Sequence, residues 1–396
     1  MAPLRFEVLA RSARHRARLG RVTTPHGSFD TPAFMPVATA AAMKGLTPAQ
    51  VRGTGSQIIL NNAYHLLLRP GGERLAAMGG SHAFMRWDGP ILTDSGGYQA
   101  YSMSDTADLD EEGVTFRSFV DGSKVHLGPE SSMRVQNQIG ADIIMAFDDC
   151  PPAALPEADD PRRGARARRI ADHGRRLEEA HERTLRWLER CVRAHARPQE
   201  QALFGIVQGA TNLDLRRRSA QGVCQHDLPG YAIGGVAVGE GTDAIRTVVE
   251  FTAPLLPEDR PRYLMGVGYE RDIVMAVAAG VDMFDCVLPT RNGRNANAFT
   301  REGPLRLRNA QFAQDPRPID PTCDCEACAG GFSRAYLRHL FMASEMLGPT
   351  LVSVHNIRHF QRLMLDIRAA IREDAWSALD AAWPCIARPV DPSIQT

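Results

Sequence analysis

Eight short apolar, β-prone runs set the tightest limit on what this chain can become. They are FMPVA from Phe34, QIIL from Gln57, PILT from Pro90, DIIMAF from Asp142, ALFGIV from Ala202, YAIGG from Tyr231, RYLMG from Arg262 and VDMFDCV from Val281. Helix-patterned segments separate them, such as ERTLRWLERCVRAHA from Glu182 and DAIRTVVEFTAPLL from Asp243. Regular alternation of β and α units implies a parallel sheet. About eight units over roughly 250 residues match the size of a closed (β/α)₈ barrel. An open doubly wound sheet is the alternative, but no Gly-rich dinucleotide turn opens a helix after the first run.

The ends of these runs are polar in a way that caps alone do not explain. They run into Asn61, Asp94, Asp148, Gln208, Gly235, Gly266 and Asp285. One polar residue after a strand is ordinarily a helix cap or turn former. Several carboxylates and amides at matching positions instead point to the mouth of a barrel, where strand C-termini converge and active sites lie. Three segments break the rhythm. Thr115 to Leu127 reads as a hairpin turning at Asp121-Gly122, and Ala298 to Leu307 as another turning at Glu302-Gly303-Pro304. Pro151 to Arg169, rich in Pro, Ala, Asp and Arg, reads as a surface loop.

The 46 basic and 46 acidic side chains cancel, so a nucleic-acid partner would need a local basic surface rather than bulk charge. Three such runs exist, Arg11 to Arg21, Arg162 to Arg176 and Arg291 to Arg308; the first two could equally be ion-paired solvated faces. No export signal is read at Met1 to Arg21, and no stretch approaches the roughly 20 apolar residues of a membrane span. A cytoplasmic, reducing compartment is therefore expected. There, the tight cluster Cys323, Cys325 and Cys328 is better suited to metal than to disulfides. With His355 downstream it makes a Cys₃His set, which fills a tetrahedral Zn²⁺ shell and leaves no open position for chemistry. One structural zinc per chain is the expectation; spacing alone leaves His339 and His359 as alternatives to His355.

Several longer motifs occur together. WDGPILTDSGGYQAYSM (Trp87 to Met103), MAFDDC ending at Cys150, GIVQG from Gly205 and YAIGGVAVGE from Tyr231 come first. MFDCVLPTRNGRN from Met283, CDCEAC from Cys323, SRAYLRHLF from Ser333 and SVHN around His355 follow. In this order the chain resembles the tRNA-guanine transglycosylases, the queuine tRNA-ribosyltransferases, from about Phe6 to about Met364, and is closest to the bacterial type. The resemblance implies an irregular (β/α)₈ barrel with inserted hairpins and a zinc-binding subdomain. Residues 1–295 would form the barrel with an N-terminal hairpin region, 296–364 the zinc-binding subdomain, and 365–396 a C-terminal helix and tail.

The resemblance also implies an activity. Guanine at the wobble position of a tRNA with a GUN anticodon would be exchanged for a 7-deazaguanine, prequeuosine-1 base, by a homodimer in queuosine biosynthesis. Retention at the sugar carbon calls for double displacement, as in retaining glycosidases. Asp285 matches the nucleophile and Asp94 the general acid/base. Asp148 matches the acceptor for the base's N–H groups, Gln208 and the Gly235 N–H the donors to its carbonyl, and the Val236 carbonyl the acceptor for the aminomethyl group. Tyr98 and Met265 would sandwich the ring, and Ser95 is a hydrogen-bond partner beside Asp94. Gly266, Gly268, Asp272, Thr290, Arg291 and Arg294 match tRNA-contacting positions. Cys150 and Val238 match the residue types that accompany prequeuosine-1 base rather than queuine.

The chain departs from the family pattern at Tyr269 and Glu270, where Lys and Pro are usual, and at Asp149 and Ala296, where Glu and Gly are usual. Two other readings compete: a non-catalytic tRNA-binding subunit of the same family, and a retaining barrel glycosidase.

Overall fold

The computed structural model describes residues 2–102, 108–153, 172–236 and 240–387. Most of the Pro151 to Arg169 loop lies outside the described residues, as does Val238. The eight expected runs are the eight strands of a closed barrel: β4 (Ala33–Ala38), β5 (Ile59–Asn62), β6 (Ile91–Asp94), β10 (Ile143–Met145), β11 (Ala202–Val207), β12 (Gly230–Ile233), β13 (Arg262–Leu264) and β14 (Met283–Cys286). All neighbours pair in parallel, and β14 closes onto β4 through Met283–Ala33 to Cys286–Pro36.

Strand periodicity divides the apolar residues between two cores. Met35, Val37, Leu60, Leu92, Ile143, Met145, Phe204, Ile206, Ala232, Tyr263 and Met283 point into the barrel. Residues of the other parity, among them Phe34, Ile59, Ile91, Ile144 and Phe284, pack under the surrounding helices. The next inward position above the barrel core is Asn62 on β5, Asp94 on β6, Gln208 after β11, Met265 after β13 and Asp285 on β14. The polar mouth is thus the inward face of the strands continued past the last apolar layer.

The opposite end is closed by an antiparallel sheet of β1 (Arg5–Arg11), β2 (Arg18–Thr24) and β3 (Gly27–Thr31). Its Leu4-proximal edge, Val22 and Phe29 join the barrel's inner core. Arg18 of β2 pairs with Asp282, just ahead of β14, at 2.6 Å, with both side chains buried. Both expected hairpins are present. The first is β8 (Val114–Arg117) with β9 (Lys124–Leu127), joined by the short β7 (Asp108–Leu109); the second is β15 (Asn297–Ala298) with β16 (Leu305–Arg306).

The long helix Leu347–Glu373 runs from the cysteine cluster onto the barrel. Its Leu351, Val352 and Val354 pack with Cys323, Cys325 and Cys328, while Ile357, Phe360, Leu363, Met364 and Ile367 pack with the barrel's outer core. The expected boundary between residues 364 and 365 falls inside this one continuous helix.

Candidate active site

Asp94 ends β6 and is nearly buried. Asn62 Nδ2 donates to its Oδ2 at 2.6 Å, and the Ala63 N–H to its Oδ1 at 2.9 Å. Burial pushes its carboxyl up to about 7, aided by the charges of Asp285 and Asp148, against the pull of the Ala63 N–H. Asp285, on β14, accepts from the Tyr263 hydroxyl at 2.6 Å and from the Gly266 N–H at 2.8 Å, both on Oδ1. Burial raises its carboxyl too, and these two donors hold it back. Asp148 accepts from Gln208 Nε2 at 2.6 Å; burial lifts it to about 7, with neighbouring Asp149 adding to the shift. Three carboxylates thus share one desolvated mouth, each short of the donors that a fully ionised buried group needs.

Of the base-pocket residues named from sequence, Asp148, Gly235 and, across Gly234, Met265 gather around Gln208. A Cβ on Gly235 (φ +63°) would meet Gln208 Oε1 at 2.2 Å, and one on Gly234 would meet Ile206 at 2.7 Å and the Met265 sulfur at 3.5 Å. Only glycine fits here, because a side chain would fill the space beside the amide and Asp148. Val236 is buried next in line. Tyr98, on the short Gly97–Ser102 helix, is 43% exposed, and partial burial raises its hydroxyl pKa. Ser95 is not bonded to Asp94: its hydroxyl accepts from the Gly97 N–H at 3.3 Å and its carbonyl from Ser132 Oγ at 2.8 Å, so it shapes the turn after β6.

The positions matched to RNA contact surround this mouth unevenly. Gly266 is exposed and its N–H serves Asp285. A Cβ on Gly268 would strike Cys286 at 2.2 Å, so close packing requires glycine there. Asp272 is buried and paired with Arg271 at 3.1 Å. On the Leu288–Arg294 helix Thr290 is buried, whereas Arg291 is exposed and Arg294 half-buried. Among the described residues neither arginine has an acidic partner. By contrast, Arg11, Arg14, Arg18 and Arg21 pair with Glu258, Asp374, Asp282 and Asp30, so the first basic run is an ion-paired face.

Three residues that hold the site, Asn62, Tyr263 and Arg216, were not singled out from sequence, and a fourth, Glu270, was noted there only as a departure. In place of Asn62 the neighbouring Asn61 was named, but it faces outward onto Ser81. Strand parity, with Leu60 inward, identifies Asn62. Tyr263 lies two residues before Met265 on the inward face, so the same parity finds it. Arg216 is wholly buried and donates to the carbonyls of Val207, Ala210, Gly234 and Gly235, bracing the loops after β11 and β12. It shares a helical stripe with Ser219, Ala220 and Val223, a signal available in the sequence. Glu270 pairs with His359 at 2.7 Å, both buried, tying the loop that carries Gly266 to the long helix. The extra negative charge noted in the sequence therefore points inward. Asp149 is likewise enclosed, by Arg176 and Arg183 at 2.5 and 2.6 Å.

Away from the mouth, Cys323, Cys325, Cys328 and His355 are all buried, and their ligand atoms lie within 4.8 Å of one another. His355 Nδ1 is 3.6 Å from Cys325 Sγ and 3.3 Å from Cys328 Sγ. Its Nε2 meets the Phe299 carbonyl at 2.8 Å, which fixes the proton there and frees Nδ1 as a ligand. The Asp320 and Cys328 N–H groups point at Cys328 and Cys325 sulfur. This group could hold a metal ion, and soft sulfur with one imidazole suits a tetrahedral one. The next residue, Asn356, donates to the carbonyls of Pro289 and Asn297 and accepts from the Phe299 N–H. A Cβ on Gly293 would meet Ser353 at 2.5 Å. The cluster's helix thereby locks the Leu288–Arg294 helix that follows Asp285.

The sequence profile described as queuine tRNA-ribosyltransferase matches residues 13–384. A queuine tRNA-ribosyltransferase of Thermus thermophilus is 53% identical over 373 residues, covering 94% of this chain and 91% of the relative. Those of Synechococcus elongatus and Bacillus mycoides are each 50% identical over 374 residues, covering 94% of this chain and 93% and 94% of theirs. With a barrel whose mouth gathers the carboxylates and a matching metal-ligand set beside it, this chain belongs to the queuine tRNA-ribosyltransferase family.

Proposed function

We propose that the chain exchanges guanine at the wobble position of tRNA with a GUN anticodon for prequeuosine-1 base, through a covalent enzyme–tRNA intermediate. The observation that carries this reading is the pair of under-satisfied carboxylates, Asp285 and Asp94, converging on one mouth with Asp148 and Gln208 alongside. Asp285 attacks the ribose C1′. The C1′–N9 bond breaks, its electron pair leaves with guanine, and Asp94 supplies the proton. The incoming base then loses its N9 proton to Asp94, attacks C1′ and expels Asp285. Two inversions give net retention. A carboxyl held near 7 can give and take a proton at neutral pH, which suits Asp94 to both steps.

Asp148 and Gln208 read the base edge, with the Gly235 N–H, the Val236 carbonyl, Tyr98 and Met265 completing the pocket. Arg291 and Arg294, cations beside the nucleophile without carboxylate partners among the described residues, meet the RNA around the extruded base, with Gly266, Gly268, Asp272 and Thr290 shaping that rim. Cys323, Cys325, Cys328 and His355 hold one zinc, which supplies rigidity and no chemistry. Residues 1–295 act as the catalytic barrel and 296–364 as the zinc-binding part. An exposed apolar stripe on that part, Tyr336, Met342, Met346 and Leu347, supports a homodimer. No helix among the described residues is long and apolar enough to cross a membrane, and we place the enzyme in the cytoplasm.

A non-catalytic RNA-binding subunit has no use for two desolvated carboxylates at the mouth. Incorporation of labelled guanine into unmodified tRNA, displaced by prequeuosine-1 base, tests the reading. Binding of tRNA without exchange would leave only the subunit reading, and release of reducing sugar from a glycoside would favour the hydrolase.

A further inference from the structure

The hairpin β8–β9 ends in a turn that does not need its aromatic residue. The Ser118 and Gly122 N–H groups bond to Ser123 and Ser118 carbonyls at 2.8 Å each, and Asp121 accepts from Ser123 N–H and Oγ at 3.1 and 2.7 Å. Val114 and Phe116 fill the hairpin's buried side. Phe119 at the tip is nonetheless 60% exposed, and it lies outside the hairpin's buried side.

Its neighbours are informative. The Phe119 ring lies 5.5 Å from His65, tilted by 57°, and 6.0 Å from Tyr64. Both stand in the first turn of the Ala63–Leu68 helix, whose first N–H holds Asp94. The exposed ring is therefore at the rim of the reactive mouth. Burial and the nearby Lys44 ammonium lower the His65 proton affinity, so the imidazole is neutral at neutral pH. Among the described residues Lys44 and Lys124 have no carboxylate partner, and Arg117 bonds only the Gly122 carbonyl, at 3.2 Å. An exposed aromatic face beside an imidazole and unpaired cations is the chemistry that holds single-stranded nucleic acid, by stacking and by charge.

We propose that Phe119 is the stacking platform for the nucleobase adjoining the one that enters the pocket, with Lys44 and Lys124 meeting the neighbouring phosphates. The proposal rests on the reading that the mouth receives a base from tRNA. Extruding one base leaves its neighbour without a stacking partner on that side, and the ring at the rim supplies one.

The test uses an anticodon stem–loop carrying 2-aminopurine on either side of the exchanged guanine, titrated with the full chain and no incoming base. Wild type should quench one of the two probes. Phe119→Ala should abolish that quench, weaken binding about tenfold and raise KM for tRNA with kcat nearly unchanged. Phe119→Trp should restore both. Wild-type quench and KM in Phe119→Ala would overturn the proposal. So would an altered monomer–dimer balance with the quench intact, which would make the ring a contact between copies. Failure of the functional reading is distinguishable: wild type would then exchange no guanine, whatever the probe shows.

Discussion

Each end of the barrel holds aspartates, and they are treated in opposite ways. Asp142 and Asp148 flank β10. Asp142, at the closed end, accepts from the Ile91 N–H at 2.9 Å, the His26 N–H at 3.2 Å, His26 Nδ1 at 2.8 Å and His82 Nε2 at 3.1 Å. Despite its burial, these donors hold its carboxyl below the usual range. Asp148, at the open end, has Gln208 and is pushed up to about 7. Asp282 and Asp285 flank and occupy β14 in the same way. Asp282 is gripped by Arg18 Nε and Nη2 at 2.8 and 2.6 Å and by the Arg262 N–H at 2.7 Å, whereas Asp285 has a phenol and one amide. A buried carboxylate with all its lone pairs met is a fastener. One left partly unmet is costly to fold and ready to react.

The largest expected effect separates the two ends by observable. Asp285→Asn should lose on the order of 10⁴-fold or more in exchange rate with little change in melting temperature. Arg18→Met should do the reverse: leaving Asp282 buried without its cation costs roughly 3–5 kcal/mol of stability, read by denaturant titration, with kcat of the folded fraction retained. If Arg18→Met were neutral in stability, the contrast would fail at its closed end.

The group Cys323, Cys325, Cys328 and His355 is a third kind of place, three buried thiols and an imidazole that could hold a metal ion. Cys325→Ala should lose stoichiometric zinc by elemental analysis and either unfold at lower temperature or lose tRNA binding, because the same helix locks Arg291 and Arg294 in place. A well-folded, metal-free variant with full exchange would contradict this.

The smallest effect sharpens the contrast at the open end. Tyr263→Phe removes one of the two donors to Asp285 without changing shape. The ionised form loses support, so the Asp285 carboxyl rises further, and the acid limb of the kcat/KM profile moves to higher pH. A hydrogen bond to a charged group is worth roughly 1.5–3 kcal/mol, so the rate below neutrality should drop by about ten- to a hundredfold. An unshifted acid limb would remove Tyr263 from the account.

Much of this was legible in the chain because strand and helix periods are local. The eight runs became the eight barrel strands, and Asp94, Gln208 and Asp285 stand at their upper ends because parity continues past the apolar layer, whereas Asp148 lies three residues past the inward Met145 and breaks that parity. Asn62 and Tyr263 were within reach of the same rule; Asn61 was named because it directly follows the apolar run, although it points outward. Glu270 with His359, and Phe119 over His65, were out of reach. They join segments that only the closed barrel brings together, and no period in one segment reports a partner in another. Ser95, beside Asp94 in sequence, serves the turn after β6 through the Gly97 N–H.

The central claim is that the under-satisfied carboxylates divide the work, Asp285 bonding to carbon and Asp94 moving protons. The direct measurement is to incubate wild type, Asp94→Ala and Asp285→Ala with unmodified tRNA and 9-deazaguanine, resolve protein–RNA adducts on a denaturing gel, and map the bond by mass spectrometry. The account predicts an adduct on Asp285 in wild type, exchange lost in both variants, and no adduct with Asp285→Ala. An adduct formed by Asp285→Ala, or a wild-type bond mapped to Asp94, would contradict it.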